Sequence, residues 1–313
     1  MFRGALLAMS RSRRLDEALT TSRLAWRAAS RFVAGETLAE TLEVARSLNA
    51  AGLSATLDHL GENVSTVAEA EAARSAYVEA TDRIRAAGVH SGISLKLTAL
   101  GLDVSTDVAE SLLREVAGHA AGLTPPVFVR IDMEGSAYTE RTLEIFHRVH
   151  AGLPNVGAVI QSMLRRSDAD VRRLVAAGAG VRLVKGAYLE PPAVAYAEKA
   201  DVDAAFRRLA ALLMSPEARA RGVYAAIATH DEAILGWAKR HAAEEGLGPD
   251  DFECQMLFGV RRDLQAAVVA EGYRMRVYVP YGRAWYPYFM RRLAERPENL
   301  AFVLRNVLRE MGP

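Results

Sequence analysis

VFVRIDMEGSAYTERTLEIFHRVHAGLPNVGAVIQSM, residues 127–163, reads as a strand, a helix and a second strand in close succession. Val127, Val129 and Ile131 alternate with Arg130 and Asp132, the period of two that a strand imposes. A helical pattern follows over residues 139–150, and VGAVIQSM (156–163) is again a short apolar run. The same beat extends in both directions. Upstream lie LSATLDHL (53–60) with a helix over 66–87, and HSGISLKL (90–97) with a helix over 107–121. Downstream, a helix over 168–177 leads to GVRLVKGAY (180–188) and a helix over 193–214, then VYAAIATH (223–230) and 231–245, FECQML (252–257) and 261–271. RMRVYV (274–279) and a helix from near Trp285 complete eight strand-helix units. Strands alternating with helices imply parallel pairing through right-handed crossovers, and eight units close into a barrel. A doubly wound sheet is the alternative, and the count of eight favours the barrel. The expected architecture is α/β: a (βα)8 TIM barrel over residues 51–313, preceded by a helical arm over 1–50.

The composition fits that architecture. The chain has 313 residues, 50% hydrophobic and 25% charged, enough for a sizeable core. Lys and Arg number 39 against 38 Asp and Glu, a net charge of +1 that gives no electrostatic reason to expect a nucleic-acid partner. Cys254 is the single cysteine, which excludes an internal disulfide and any cysteine cluster for zinc or iron-sulfur and points to a reducing cytoplasm. No apolar run approaches the roughly 20 residues of a membrane span.

A barrel of this kind carries its chemistry at the C-terminal strand ends. There the sequence places polar residues where branched apolar ones are usual. Lys96 lies on the side of its strand opposite Ile93, Leu95 and Leu97; Asp132 and Arg130 do the same on the next strand. Gln161 ends strand four, Arg182 shares parity with Gly186 and Tyr188, Thr229 and His230 close strand six, Gln255 and Leu257 strand seven, and Tyr278 strand eight. Unpaired buried charges cost several kcal/mol each, so their convergence argues for a site, with Lys96–Asp132 and Asp58–His59 as structural pairings in the bland reading. Gly186 suits a close backbone approach to a ligand.

YVPYGRAWYPYFMRRLAE, residues 278–295, adds a second polar set. A Pro-Gly turn through Pro280 and Gly282 opens a helix on which Tyr288, Arg291, Arg292 and Glu295 share one face, with Phe289, Leu293 and Leu300 to one side. The bland reading is a solvated face with an Arg291–Glu295 ion pair. The sharper one is a pair of guanidinium forks gripping one small anion, a carboxylate above all. Metal, Ser-nucleophile, P-loop and kinase signatures are absent, and Gly178 and Gly180 start a GxGxxG that lacks its third glycine and follows a helix.

SLKLTAL, RIDMEG, IQSML, VRLVKGAY, ATHD, YVPYG and YFMRRLAE, in this order on these strands, resemble the proline dehydrogenase family, the monofunctional bacterial type, over roughly residues 53–303. That resemblance implies a distorted (βα)8 barrel binding FAD non-covalently, which oxidises L-proline to 1-pyrroline-5-carboxylate as the first step of proline catabolism. It further implies a membrane quinone as electron acceptor and pyrroline-5-carboxylate dehydrogenase as a transient partner. Matched motif by motif, it makes Asp132 and Arg182 catalytic, with Arg182 near flavin N5. Lys96, Arg291, Arg292, Tyr278, Tyr288 and Leu257 become substrate residues, the two arginines holding the proline carboxylate. Met133, Gln161, Arg182, Lys185, Gly186, Ala187, Thr229, His230 and Glu295 become FAD contacts. This chain is shorter than the bifunctional relatives between Tyr278 and the arginine pair, and its Tyr281 and Trp285 depart from them.

Three competing readings remain open. A methylenetetrahydrofolate-reductase-like flavin barrel asks for a longer aromatic cleft, a class I aldolase would use Lys96 or Lys185 as its amine, and a non-catalytic scaffold would bind no flavin. The first 35 residues, with seven arginines against Asp16 and Glu17, read as a helical arm packed on the barrel or, alternatively, as a basic surface for the inner face of a membrane.

Overall fold

Eight parallel strands close on themselves in chain order, β1 Ser54–His59, β2 Ser91–Leu95, β3 Val129–Ile131, β4 Val156–Gln161, β5 Gly180–Val184, β6 Tyr224–Ala228, β7 Phe252–Leu257 and β8 Met275–Tyr281. The last pairs with the first in a register running from Ser54 opposite Arg276 to His59 opposite Tyr281. The architecture comes from a computed structural model, which describes residues 22–295 together with Leu15, Leu19 and Thr20. Helices α1 Arg23–Ala29 and α2 Leu38–Ala50 precede the barrel. The crossovers are α3 Val67–Ala86, α4 Thr106–Gly122, α5 Ser136–His150, α6 Ser167–Ala176, α7 Lys199–Leu213 with the short α8 Pro216–Ala220, α9 Glu232–Glu244 and α10 Arg262–Ala270; α11 Trp285–Glu295 follows β8.

Local chemistry sets these boundaries. Thr37 before α2 and Thr66 before α3 each accept the N3 amide while Glu40 and Glu69 reach back to the cap, a reciprocal capping box. The largest departure from the sequence reading is α7, expected from residue 193 and starting at Lys199. Pro191 and Pro192 supply no N–H, and residues 194–196 instead form a bridge to the β4–α6 loop, with Arg165 N donating to Val194 O and Tyr196 N to Met163 O. β8 also runs further than expected, taking in Pro280 and Tyr281 before Gly282 turns the chain at φ +118°.

The outward faces of the strands pack on the helices as one continuous apolar core. The inward faces are different. Glycines at 157 and 180 make room for Arg130, whose Nη1 donates to the carbonyls of Ala158 and Gly180 at 3.1 and 2.7 Å while its guanidinium stacks on Phe128 at 4.7 Å. Burial, reinforced by the nearby Arg182, pushes the Arg130 guanidinium down to about 9.

A second apolar cluster seats α11. Trp26 of α1 lies 5.7 Å from Trp285, and Phe32 lies 6.3 Å from Phe289, ring centre to ring centre. The chain after α1 is stitched to the barrel by Ala34 N to Pro280 O at 2.9 Å and Gly282 N to Gly35 O at 3.0 Å. Arg3, Arg11, Arg13, Arg14, Asp16, Glu17, Leu300, the rest of residues 296–313 and the Glu295 side chain lie outside what is described. Among the described residues no helix is long and apolar enough to cross a membrane.

Candidate active site

The strand parity that turns Arg130 inward turns a polar residue inward on every neighbouring strand, and at the C-terminal ends these residues surround a cavity of about 660 Å³. It is lined by Lys96, Asp132, Met133, Gln161, Arg182, Lys185, Gly186, Ala187, Thr229, His230, Leu257, Tyr278, Tyr288, Arg291 and Arg292. Those are all the candidate site residues read from the sequence except Glu295, whose side chain is outside the described set. Val159, Val184, Ala228 and Met256 interleave apolar surface between them.

Asp132 and Arg182 form the centre. Arg182 Nη1 donates to Asp132 Oδ1 at 2.8 Å and to Ser94 Oγ at 3.0 Å, and its Nε donates to Gln255 Oε1 at 2.6 Å. The Tyr278 hydroxyl donates to the other Asp132 oxygen at 2.7 Å, with the Arg182 guanidinium 5.2 Å from its ring centre. Burial, followed by the Asp132 and Asp58 carboxylates, raises the Tyr278 phenol well above its ordinary value, so it remains a donor.

Lys96 does not pair with Asp132. Its ammonium bonds both oxygens of Asp58 at 3.2 Å, because Asp58 stands opposite Ser94 in the β1–β2 register while Asp132 is already taken by Arg182 and Tyr278. Burial raises the Asp58 carboxyl against the pull of Lys96. On Lys96 the same burial is outweighed by Asp58, Asp132 and Glu62, so the lysine is raised and stays an ammonium. Asp58 is thus a buried member of the site that the sequence offered only as a loop closure.

Arg291 has a described partner that the sequence did not offer. Its fork meets Glu62, in the loop after β1, at 2.7 and 3.3 Å. Burial works against both charges, yet the pairing wins: Glu62 is lowered by Arg291 and Lys96, and Arg291 is raised by Glu62. Nothing in the GENVS loop announced Glu62, since a single carboxylate between helix and strand carries no periodicity. Arg292 is buried on the same helix face, 5.0 Å from the Tyr288 ring centre.

The remaining wall comes from β4 to β7. Lys185 Nζ sits between Asp203 and Asp231 at 2.6 and 2.8 Å. Burial opposes the Asp231 charge, but Lys185 and the N–H of Ile234 hold its carboxyl down at about 2. Lys96 and Lys185 are each held against carboxylates, so neither is presented as the free amine a Schiff-base mechanism requires. His230 Nε2 accepts the Leu257 N–H at 3.0 Å, which fixes the neutral tautomer with the proton on Nδ1. Gln161 Nε2 donates to the carbonyls of Met133 and Glu134 at 3.1 and 2.7 Å, while its Oε1 is buried with no hydrogen-bond partner among the described residues. Gly186 has φ +113°, and a Cβ there would meet Met163 at 2.5 to 2.7 Å, so the backbone and the packing of Met163 both call for a glycine here.

A closed parallel barrel with guanidiniums, carboxylates and an amide gathered at the C-terminal strand ends is an enzyme of the (βα)8 class. The family model described as Proline dehydrogenase matches residues 41–305. Proline dehydrogenase 1 of Bacillus subtilis is 41% identical over 90% of this chain and 91% of its own length, and Proline dehydrogenase of Deinococcus radiodurans is 38% identical over 99% of this chain and 98% of its own. This chain belongs to the proline dehydrogenase family. Among solved structures, proline utilization A (PutA) from Bdellovibrio bacteriovorus, inactivated by N-propargylglycine, superposes with a TM-score of 0.80 at 27% identity, over 87% of this chain and 33% of that one.

Proposed function

We propose that this chain oxidises L-proline to 1-pyrroline-5-carboxylate with a non-covalently bound FAD and passes the electrons to a quinone. The observation that carries this reading is the guanidinium pair Arg291 and Arg292 lining one cavity with Arg182, Gln161 and Lys185. The donor set fits a flavin. Gln161 Oε1 is a buried acceptor waiting for a donor, Lys185 and His230 border the same space, and apolar residues between them suit a flat ring. Arg182, Lys185, Gln161, Met133, Gly186, Ala187, Thr229 and His230 would hold it, and Glu295 is assigned to it by motif alone. When bound, the flavin supplies an acceptor for the hydride from the carbon beside the proline nitrogen.

The chain's own residues supply the rest. Arg292 and Arg291 bind the substrate carboxylate as charge-assisted forks. For Arg291 this means sharing or releasing Glu62, which now fills its fork. Tyr278, Tyr288 and Leu257 shape the space beside them. Asp132, held by Arg182 and the Tyr278 hydroxyl, keeps both in one geometry, and Lys96, anchored by Asp58, stands as an ammonium at the edge of the cavity. The fixed charge of Arg182 favours negative charge developing nearby. The product passes to pyrroline-5-carboxylate dehydrogenase as a transient partner. The electron acceptor is a quinone of the membrane, which the protein approaches as a peripheral visitor from the cytoplasm.

The test is the visible spectrum of the purified protein. A flavin absorbance that bleaches on adding L-proline, with the yellow colour released to the supernatant by acid precipitation, is the expected result. A colourless protein, or one whose colour is indifferent to proline, would refute the reading.

A further inference from the structure

Behind Arg182 the barrel interior holds a line of polar groups that no substrate or cofactor assignment uses. Glu253 and Gln255 share the inward parity of β7, and Arg276 stands opposite Gln255 on β8. Arg276 Nε donates to both Glu253 oxygens at 2.9 and 3.1 Å and its Nη1 to Ala55 O at 2.8 Å. Gln255 Nε2 donates to Glu253 Oε1, and Gln255 Oε1 accepts from Arg182 Nε at 2.6 Å. The polarity of this line has one solution. A guanidinium only donates and a carboxylate only accepts, so the amide between them must turn its oxygen to Arg182 and its nitrogen to Glu253. Glu253, Gln255 and Arg182 are each at most 4% exposed, so water does not offer an alternative partner. Burial opposes ionisation of Glu253, but Arg276 outweighs it and the carboxyl is lowered, so the accepting end of the line stays charged.

We propose that Glu253 is a positioning residue that fixes the Gln255 amide and through it aims Arg182 into the cavity. It governs the rate of the redox step and leaves substrate affinity to α11. This rests on the flavin and proline reading above. Asp132 and Ser94 hold the Nη1 side of Arg182, and the relay holds Nε, so cutting the relay frees the guanidinium to tilt about its Asp132 contact.

The experiment uses the full chain with three changes. Glu253→Gln removes the charge and one of the two acceptor oxygens, leaving a single carbonyl for which Arg276 and the Gln255 amide compete. Gln255→Met cuts the relay while keeping the Glu253–Arg276 pair, which guards against a variant that merely fails to fold. Glu253→Gln combined with Gln255→Glu restores an alternating line, with the new Gln accepting from Arg276 and donating to the new Glu, which accepts from Arg182. Both single variants should lose kcat for proline oxidation by on the order of tenfold to a hundredfold, the scale of a misplaced catalytic group. Their KM for proline should stay within about threefold. In arginine-labelled protein the Arg182 Nε–H should exchange with solvent about tenfold faster in both, and the double change should restore most of kcat and of the exchange protection. Wild-type kcat and exchange in Gln255→Met, or a double variant no better than Glu253→Gln alone, would overturn the proposal. A wild-type protein without flavin would defeat the earlier reading instead, and the Arg182 exchange would still decide this one.

Discussion

Glu134 accepts the backbone N–H of Thr98 at 3.2 Å and its hydroxyl at 2.7 Å, yet burial outweighs both bonds and pushes its carboxyl up to about 7 from an ordinary 4.5. Between those values the folded chain holds a proton that the unfolded chain has released. The resulting stability is fully present below the unfolded value and is lost as pH rises through the folded one, a change of about 3 kcal/mol from this group. Glu134→Gln keeps the shape and removes the titration, since the amide can donate to the Thr98 hydroxyl in place of accepting from it. Urea midpoints at about pH 5 and about pH 8 should therefore fall less for the variant than for the wild type. Parallel slopes would show that the carboxyl is already ionised at the lower pH. What the sequence offers at this scale is the face on which a residue lies. Lys96 and Asp132, just past the ends of β2 and β3, were legible as inward residues, because parity is local. Their partners were not, because Asp58 with Lys96 and Arg182 with Asp132 meet only once the barrel brings distant strands together.

α11 shows the same division within one element. Its periodicity separates a polar face, Tyr288, Arg291 and Arg292, from an apolar one, Trp285, Phe289 and Leu293, and the structure buries the second against Trp26 and Phe32. The adjacency of two arginines suggested a carboxylate clamp; the partner in hand, Glu62, comes from a loop whose place over α11 depends on β1 pairing with β8. This sharpens what mutation should do. Arg292→Met removes a guanidinium and should raise KM for proline by the equivalent of about 2 to 5 kcal/mol with a smaller effect on kcat. Arg291→Met should do the same and also strand the Glu62 carboxylate, so its thermal stability should fall further than that of Arg292→Met. Replacing Glu62 by Gln in the Arg291→Met background removes the stranded charge and should return part of that stability. Steady-state kinetics and melting curves on the four proteins check both statements, and an unchanged KM in both single arginine variants would remove α11 from substrate binding.

The barrel as a whole was readable because eight strand-helix units repeat a simple alternation, and closure of β8 on β1 follows from their number. Its polar floor was legible only in part. Arg130 shares the parity of Asp132, but Glu253 and Arg276 look in sequence like ordinary strand charges, and the burial of all three becomes possible only where facing residues are small enough to admit them. Gly157 is the clearest instance. A Cβ there would lie 2.6 Å from Phe128 Cζ, 2.7 Å from Arg130 Nη1 and 2.7 Å from the Gly180 carbonyl, three atoms from two strands. The carbonyl is fixed by the sheet, and Arg130 is bound to that same oxygen, so neither yields cheaply. Gly157→Ala should therefore destabilise the fold by about 1 to 3 kcal/mol, the cost of overpacking a filled interior. Gly152, just after α5, has nothing within 4 Å of its added Cβ, so Gly152→Ala serves as the matched control and should be neutral or slightly stabilising. Denaturant midpoints for the two variants decide the matter. If Gly157→Ala unfolds at the wild-type midpoint, the floor has room to shift, and Arg130 is not wedged between β4 and β5 as its two carbonyl bonds imply.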